Sequence, residues 1–162
     1  MERFGFVEDE NTNNKPVIKT MVIDDFEDTG LVIDTVLNSG ESESKYFYEI
    51  YFFNSSVEAM EVFKNNSSEY ELIITDYEMP LIKGDEFISK VRDIIPSLKV
   101  IVISAWLDSF NIQKGSTMKD VFEKIDQPSA AIEKPFPSNF SQIIDSVIDG
   151  TNGKKIFMAS EY

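Results

Sequence analysis

The chain has no cysteine and no histidine. Without cysteine there is no disulfide framework, no thiolate nucleophile and no cysteine-based zinc site. Without histidine there is no Ser-His-Asp triad, and no imidazole of this chain can carry a phosphoryl group. Basic residues are scarce: 15 Lys and Arg face 29 Asp and Glu, a net charge of −14. That excess repels phosphate backbones, so no nucleic-acid partner is expected. No apolar run approaches the roughly 20 residues that cross a bilayer. The opening MERFGFVEDENTNNK lacks the basic-then-apolar pattern of a secretory leader, so a cytoplasmic protein with no membrane partner is expected. Chemistry is left to carboxylates, hydroxyls, Lys, Arg and a hard, oxygen-seeking cation such as Mg²⁺.

What is present fits one well-cored domain of 162 residues, 42% hydrophobic and 27% charged. Residues 1–15, polar and Asn-rich, read as a flexible lead-in, residues 16–150 as the domain, and residues 151–162 as a tail. Strands are predicted at Val17–Ile23, Tyr46–Phe53, Leu72–Thr75, Lys99–Ile103 and Ala130–Glu133. A helix over residues 27–39 is expected to turn Leu31, Val32, Val36 and Leu37 inward. Ser55 and Glu58 form a capping box for a second helix. Gly84 opens a third, with Phe87, Val91 and Ile94 inward and Pro96 closing it. Thr117 is a candidate cap for a fourth, with Met118, Val121, Phe122 and Ile125 on one face. Phe140, Ile143, Ile144 and Val147 mark the last. Strands alternating with helices in this way predict an α/β fold: a doubly wound, five-stranded parallel sheet with right-handed crossovers.

Two strands run straight into acids. MVIDDFED leads Met21, Val22 and Ile23 into Asp24 and Asp25, and ELIITDYEMP leads Leu72, Ile73 and Ile74 through Thr75 into Asp76, with Pro80 behind. Ser104 follows the fourth strand and Lys134 the fifth. In a parallel sheet, ligands bind beyond the carboxyl ends of the strands, so all five residues should gather at one edge. Carboxylates that close repel one another unless a cation sits among them, and Mg²⁺ suits an all-oxygen set. Lys134 would add a point charge and Ser104 a hydroxyl for a phosphoryl oxygen, while one carboxylate acts as nucleophile.

The order DD, then D with MP downstream, then Ser104-Ala105, then Lys134-Pro135 resembles the receiver domain of two-component response regulators, over roughly residues 16–150. The resemblance implies a flavodoxin-like (βα)5 fold with strand order 2-1-3-4-5. It makes Asp76 the phosphoacceptor, Ser104 the switch hydroxyl and Lys134 the phosphoryl-binding cation. Asp25 and Asp76 would bind Mg²⁺, with Asp24 helping through water and Glu78 offering its backbone carbonyl. The Lys134–Pro135 bond is expected to be cis. A histidine kinase or phosphotransfer protein would donate the phosphoryl group. The signal would leave through an unknown downstream protein, docked on residues 117–148, or by onward transfer. The chain is expected to stand alone as a monomer or as a phosphorylation-dependent dimer, and to catalyse nothing beyond its own phosphorylation and dephosphorylation.

Several features depart from the family pattern. Ser104 and Lys134 lie 30 positions apart, with the surplus in AWLDSFNIQKGS, residues 105–116. The position three before Lys134, where an aromatic is usual, is Ala131, and Trp106 or Phe110 would have to substitute. Glu78, two past Asp76, flanks the path of an attacking water and is expected to lengthen the phosphorylated state. Two rival readings are a scaffold that keeps the fold without carrying phosphate, and an Mg²⁺-dependent phosphohydrolase with Glu78 as the acid.

Overall fold

Alternate residues of each central strand face opposite ways, and both faces are buried. Met21, Ile23, Ile73, Val100 and Val102 join Phe63, Phe87 and Val91 in one core; Val22, Leu72, Ile74, Ile101 and Ile103 join Ile33, Leu37, Phe140 and Ile144 in the other. A strand covered on both sides reads as an unbroken apolar run, which is why these segments show no polar alternation.

The computed structural model describes residues 1–4, 14–105, 110–111, 116–117, 129–151 and 155–157. Its strands are β1 (Glu2–Phe4), β2 (Val17–Ile23), β3 (Phe47–Phe53), β4 (Leu72–Asp76), β5 (Lys99–Ser104), β6 (Phe110–Asn111), β7 (Ser116–Thr117), β8 (Ala130–Glu133) and β9 (Lys155–Phe157). The α-helices among the described residues are α1 (Thr29–Asn38), α2 (Ser56–Asn66), α3 (Gly84–Ile94) and α4 (Phe140–Ile148).

The main sheet runs β1-β3-β2-β4-β5-β8-β9. Its five inner strands are parallel and follow the predicted 2-1-3-4-5 order. The sheet is seven-stranded where five strands were expected, because each edge gains one more. On one side β1 pairs antiparallel with β3, and on the other β9 pairs parallel with β8. Glu2–Phe4 thus belongs to the sheet, not to a flexible lead-in, and Lys155–Phe157 is a strand within the expected tail. Both additions cover edges whose backbone groups would otherwise be open to pairing. β6 and β7 form a separate antiparallel pair inside the long segment after Ser104. Thr117 lies in β7, and the helix expected from Met118 onward falls outside the described residues.

Of the four α-helices described, α2 alone has a side-chain hydrogen bond at its N-cap. Ser55 Oγ accepts from the Glu58 amide at 3.4 Å, which is one half of the expected capping box, while the Glu58 carboxylate pairs with the Met1 amino group at 3.3 Å. α1 is rotated from its expected phase: Ile33 and Leu37 are buried, while Leu31 and Val32 are 54% and 45% exposed. Gly30 decides this phase. A Cβ there would lie 2.6 Å from Phe52 Cγ and 2.8 Å from Phe4 Cε2, so the bare helix backbone lies against those rings. In α3, Ile88 is buried with Phe87 and Val91, and Ile94 turns towards solvent.

The aromatic strand β3 has a polar element that its composition hides. The Tyr48 ring is fully buried and its hydroxyl donates to Asp145 at 2.7 Å. Asp145 also accepts from Ser44 Oγ at 2.6 Å and the Lys45 amide at 2.7 Å, pinning α4 to the start of β3. Burial, and then the bond to Asp145, push the Tyr48 phenol far above its ordinary range.

Gly84 fixes the joint between β4 and α3. A Cβ would lie 2.6 Å from the Asp76 carbonyl oxygen and 2.8 Å from Tyr77 Cα, both backbone atoms that cannot swing aside. Gly84→Ala should therefore cost about 1–3 kcal/mol through overpacking. Urea denaturation measures it, and a parent-like midpoint would mean that this joint has room to relax.

Candidate functional site

Each candidate residue is set by the strand before it. Asp24 follows β2 directly, and its amide donates to Phe53 O at 3.1 Å, continuing the ladder for one residue. Asp76 ends β4 in register with Ile103, one residue short of Ser104 at the end of β5. Lys134 follows β8, and its amide donates to Ser104 O at 2.8 Å. The structure brings Asp24, Asp25, Asp76, Ser104 and Lys134 to one edge of the sheet, as the strand ends predict.

Asp24, Asp25 and Asp76 each offer an oxygen within 4.8 Å of the others. Asp24 and Asp76 are buried, 1% and 6% exposed, whereas Asp25 faces solvent. Lys134 Nζ reaches both buried acids, 2.6 Å from Asp24 Oδ2 and 2.8 Å from Asp76 Oδ1. An ammonium so placed neutralises much of what two buried carboxylates would otherwise suffer from each other. The donor set is all oxygen, and a chain without Cys or His can add neither thiolate nor imidazole to it, so it fits a hard divalent cation.

Asp24 is held more tightly than the sequence suggests. Its Oδ1 accepts from the Phe26 amide at 2.9 Å, and its Oδ2 from Thr29 Oγ1 at 2.9 Å as well as from Lys134. With its oxygens so engaged, Asp24 is better suited to orienting the cluster than to ligating a cation directly. Thr29 escaped sequence reasoning; the one signal was a hydroxyl five residues after Asp24, where a helix begins.

Burial pushes the Asp76 carboxyl up to about 6 from 3.8, and Lys134 opposes that shift without cancelling it. For Lys134, burial pulls downward, but the bonds to Asp24 and Asp76 outweigh it and the net shift is upward.

Glu78 sits in the turn after β4, where its exposed carboxylate pairs with Lys83 at 3.4 Å. Leu81 in the same turn has φ of 70° and is 85% exposed. Lys134–Pro135 is cis. Ala131 is buried in β8, so the usual aromatic is absent there. Trp106 and the side chain of Phe110, its proposed substitutes, lie outside the described residues.

Beside the acids lies an apolar hollow of about 370 Å³, lined by Phe26, Thr29, Val32, Lys134, Pro135 and Phe136. Phe26 is 65% exposed. This surface was also missed, because an apolar residue next to a helix reads by default as core.

The family model for the response regulator receiver domain matches residues 20–135. The chain belongs to this family. No curated protein matches the sequence. Among solved structures, a response regulator receiver domain protein from Clostridium thermocellum is 22% identical, with a TM-score of 0.63 over 82% of this chain and 95% of that one. A CheY-like receiver from Methanospirillum hungatei is 18% identical, with a TM-score of 0.65 over 83% and 96%. A CheX–CheY–BeF3–Mg complex from Borrelia burgdorferi contains a chain 19% identical, with a TM-score of 0.58 over 82% and 88%. At these identities the likeness establishes the receiver fold. No helix among the described residues is long and apolar enough to cross a membrane.

The Asp76 shift has a consequence for stability. Between pH 3.8 and about 6 the folded protein binds more protons than the unfolded chain, so stability falls as pH rises through that window. In EDTA near pH 7.5, Asp76→Asn should exceed the parent by on the order of 1–3 kcal/mol, with the gap closing towards pH 4. Urea denaturation across that range checks it; a gap that does not change with pH would contradict the assignment.

Proposed function

We propose that this receiver domain takes a phosphoryl group onto Asp76 from a phosphohistidine presented by a partner histidine kinase or phosphotransfer protein. The observation that carries the reading is the Asp76 carboxylate at a strand end, 2.8 Å from Lys134 and grouped with two further acids.

An Asp76 oxygen attacks phosphorus, the P–N bond breaks, and the electron pair leaves with the donor's imidazole nitrogen. Lys134 exchanges its contact with Asp76 for one to a phosphoryl oxygen, retaining Asp24 as its anchor. Ser104, at the end of the neighbouring strand, donates to a second phosphoryl oxygen. Asp25, Asp76 and the Glu78 backbone carbonyl would hold Mg²⁺, with Asp24 assisting; bound there, the cation offsets charge on the phosphoryl oxygens. The hollow at Phe26, Val32 and Phe136 gives an incoming helical donor an apolar seat beside the acceptor.

The output is a change in protein binding or onward phosphotransfer, in the cytoplasm, with no turnover of a separate substrate. A scaffold role fits less well, since it would not require Asp24, Asp25, Asp76, Ser104 and Lys134 all together. The phosphohydrolase reading has less behind it, since the Glu78 carboxylate stands at the surface, 3.4 Å from Lys83 Nζ, and not beside Asp24, Asp25 and Asp76 in the acid cluster.

Incubation with acetyl phosphate and Mg²⁺ should add one phosphoryl group to the parent and none to Asp76→Asn, read by intact mass. Equal gain in both would move the acceptor elsewhere. Glu78→Asn should shorten the life of the phosphorylated form severalfold, because a negative charge flanking the water's approach is lost. An unchanged decay, followed by the same mass measurement, would leave Glu78 with its carbonyl role alone.

A further inference from the structure

β1 lies outside the residues that the family match covers, yet it leads by a short path to the acid cluster. Phe4, the last residue of β1, is in register with Ile50, and its ring lies 6.4 Å from that of Phe52, centroid to centroid. Both rings lie against Gly30 in the first turn of α1, at 2.6 and 2.8 Å from where a Cβ would sit. The next residue towards the site is Thr29, which is buried and donates to Asp24 Oδ2 at 2.9 Å. Lys134 then links Asp24 to Asp76.

Local capping does not fix this end of α1. Asp28 at the N-cap makes no side-chain capping bond, and the first turn carries no acidic residue. The height of that turn above the sheet is therefore set by what it rests on, namely the two rings, and glycine permits the close approach.

We infer that Phe4, Gly30 and Thr29 form a positioning device for Asp24: the N-terminal strand seats the first turn of α1, and the Thr29 hydroxyl transmits that seating to the carboxylate. The device rests on the cation reading above, and its effect is to tune how tightly the acid cluster holds Mg²⁺. Losing a hydrogen-bond partner of a direct metal ligand typically weakens binding by about 10–100-fold, and Thr29, which acts through the assisting Asp24, stands one bond further back.

The test is calorimetric titration of Mg²⁺ into the full chain, with thermal midpoints recorded in EDTA and in saturating Mg²⁺. Thr29→Val keeps the shape and removes the hydroxyl, and it should weaken Mg²⁺ by roughly three- to tenfold, at or below the low end of what losing a direct ligand's partner does. Thr29→Ser restores the donor and should bind within about twofold of the parent. Phe4→Ala should weaken Mg²⁺ in the same direction by a smaller factor, and Phe4→Leu should recover most of it. Should Phe4→Ala fold poorly, Phe4→Leu and the Thr29 pair still decide the matter. Thr29→Val binding as the parent does would overturn the device. So would a Phe4→Ala protein with a lowered midpoint but unchanged affinity, which would make β1 an edge cover only. A parent that binds no Mg²⁺ would remove the cation reading itself, and that result is distinct from parent binding with unchanged variants.

Discussion

The Lys134 ammonium, lying between Asp24 and Asp76, is the interaction on which the arrangement of the site depends. Two carboxylates that are almost wholly buried cannot both be ionised beside each other without an opposing charge. Lys134 supplies it from a different strand, and so makes the spacing of β2, β4 and β8 an electrostatic matter as well as a packing one. The compensation is incomplete. Asp76 remains harder to ionise than an ordinary aspartate. A site left in that condition favours any event that brings further positive charge, and a hard cation is the natural one.

The sheet makes this charge cluster affordable in structural terms. Its inner strands are covered on both faces, so their ends are rigid and have few ways to spread the acids apart. The same rigidity extends into the loops. Gly84 lets α3 begin against the backbone of Asp76 and Tyr77, and Ser56 Oγ donates to Pro80 O at 3.1 Å from the neighbouring helix. Rigid support and a partly exposed rim coexist: Asp25, Phe26 and Leu81 stand out towards solvent around a buried Asp76. That combination is what the proposed transfer of a phosphoryl group onto Asp76 would need: access for a partner at the rim and shelter at the carboxylate.

The strands were legible because the buried apolar runs are long and each is bounded by turn chemistry; their order was an expectation from the family resemblance. The acids were legible for the same reason, since a charged residue at the end of such a run has one place to go. Other features had weak signals. ERF, in β1, is three residues beside a polar, Asn-rich stretch, and only the open edge of β3 gives it a partner. The phase of α1 depends on how near Gly30 comes to Phe4 and Phe52, and helical periodicity among Leu31, Val32, Ile33, Val36 and Leu37 does not distinguish the outcomes. Tyr48 read as packing alone, because its partner Asp145 lies 97 residues away.

By itself the sequence determined which chemistry is open to this protein. The absence of Cys and His leaves oxygen donors and amines, and local hydrophobic patterning puts Asp24, Asp25, Asp76, Ser104 and Lys134 at the ends of parallel strands. Tertiary structure decided which atoms meet. It chose Asp24 as the acid bound by Thr29 and Lys134, left Asp25 towards solvent, turned Phe26 and Val32 outward, and set β1 against the sheet edge. The reason for the division is range. Strand periodicity and end signals act over a few residues, whereas the contacts that aim a carboxylate join segments that only the closed sheet brings together.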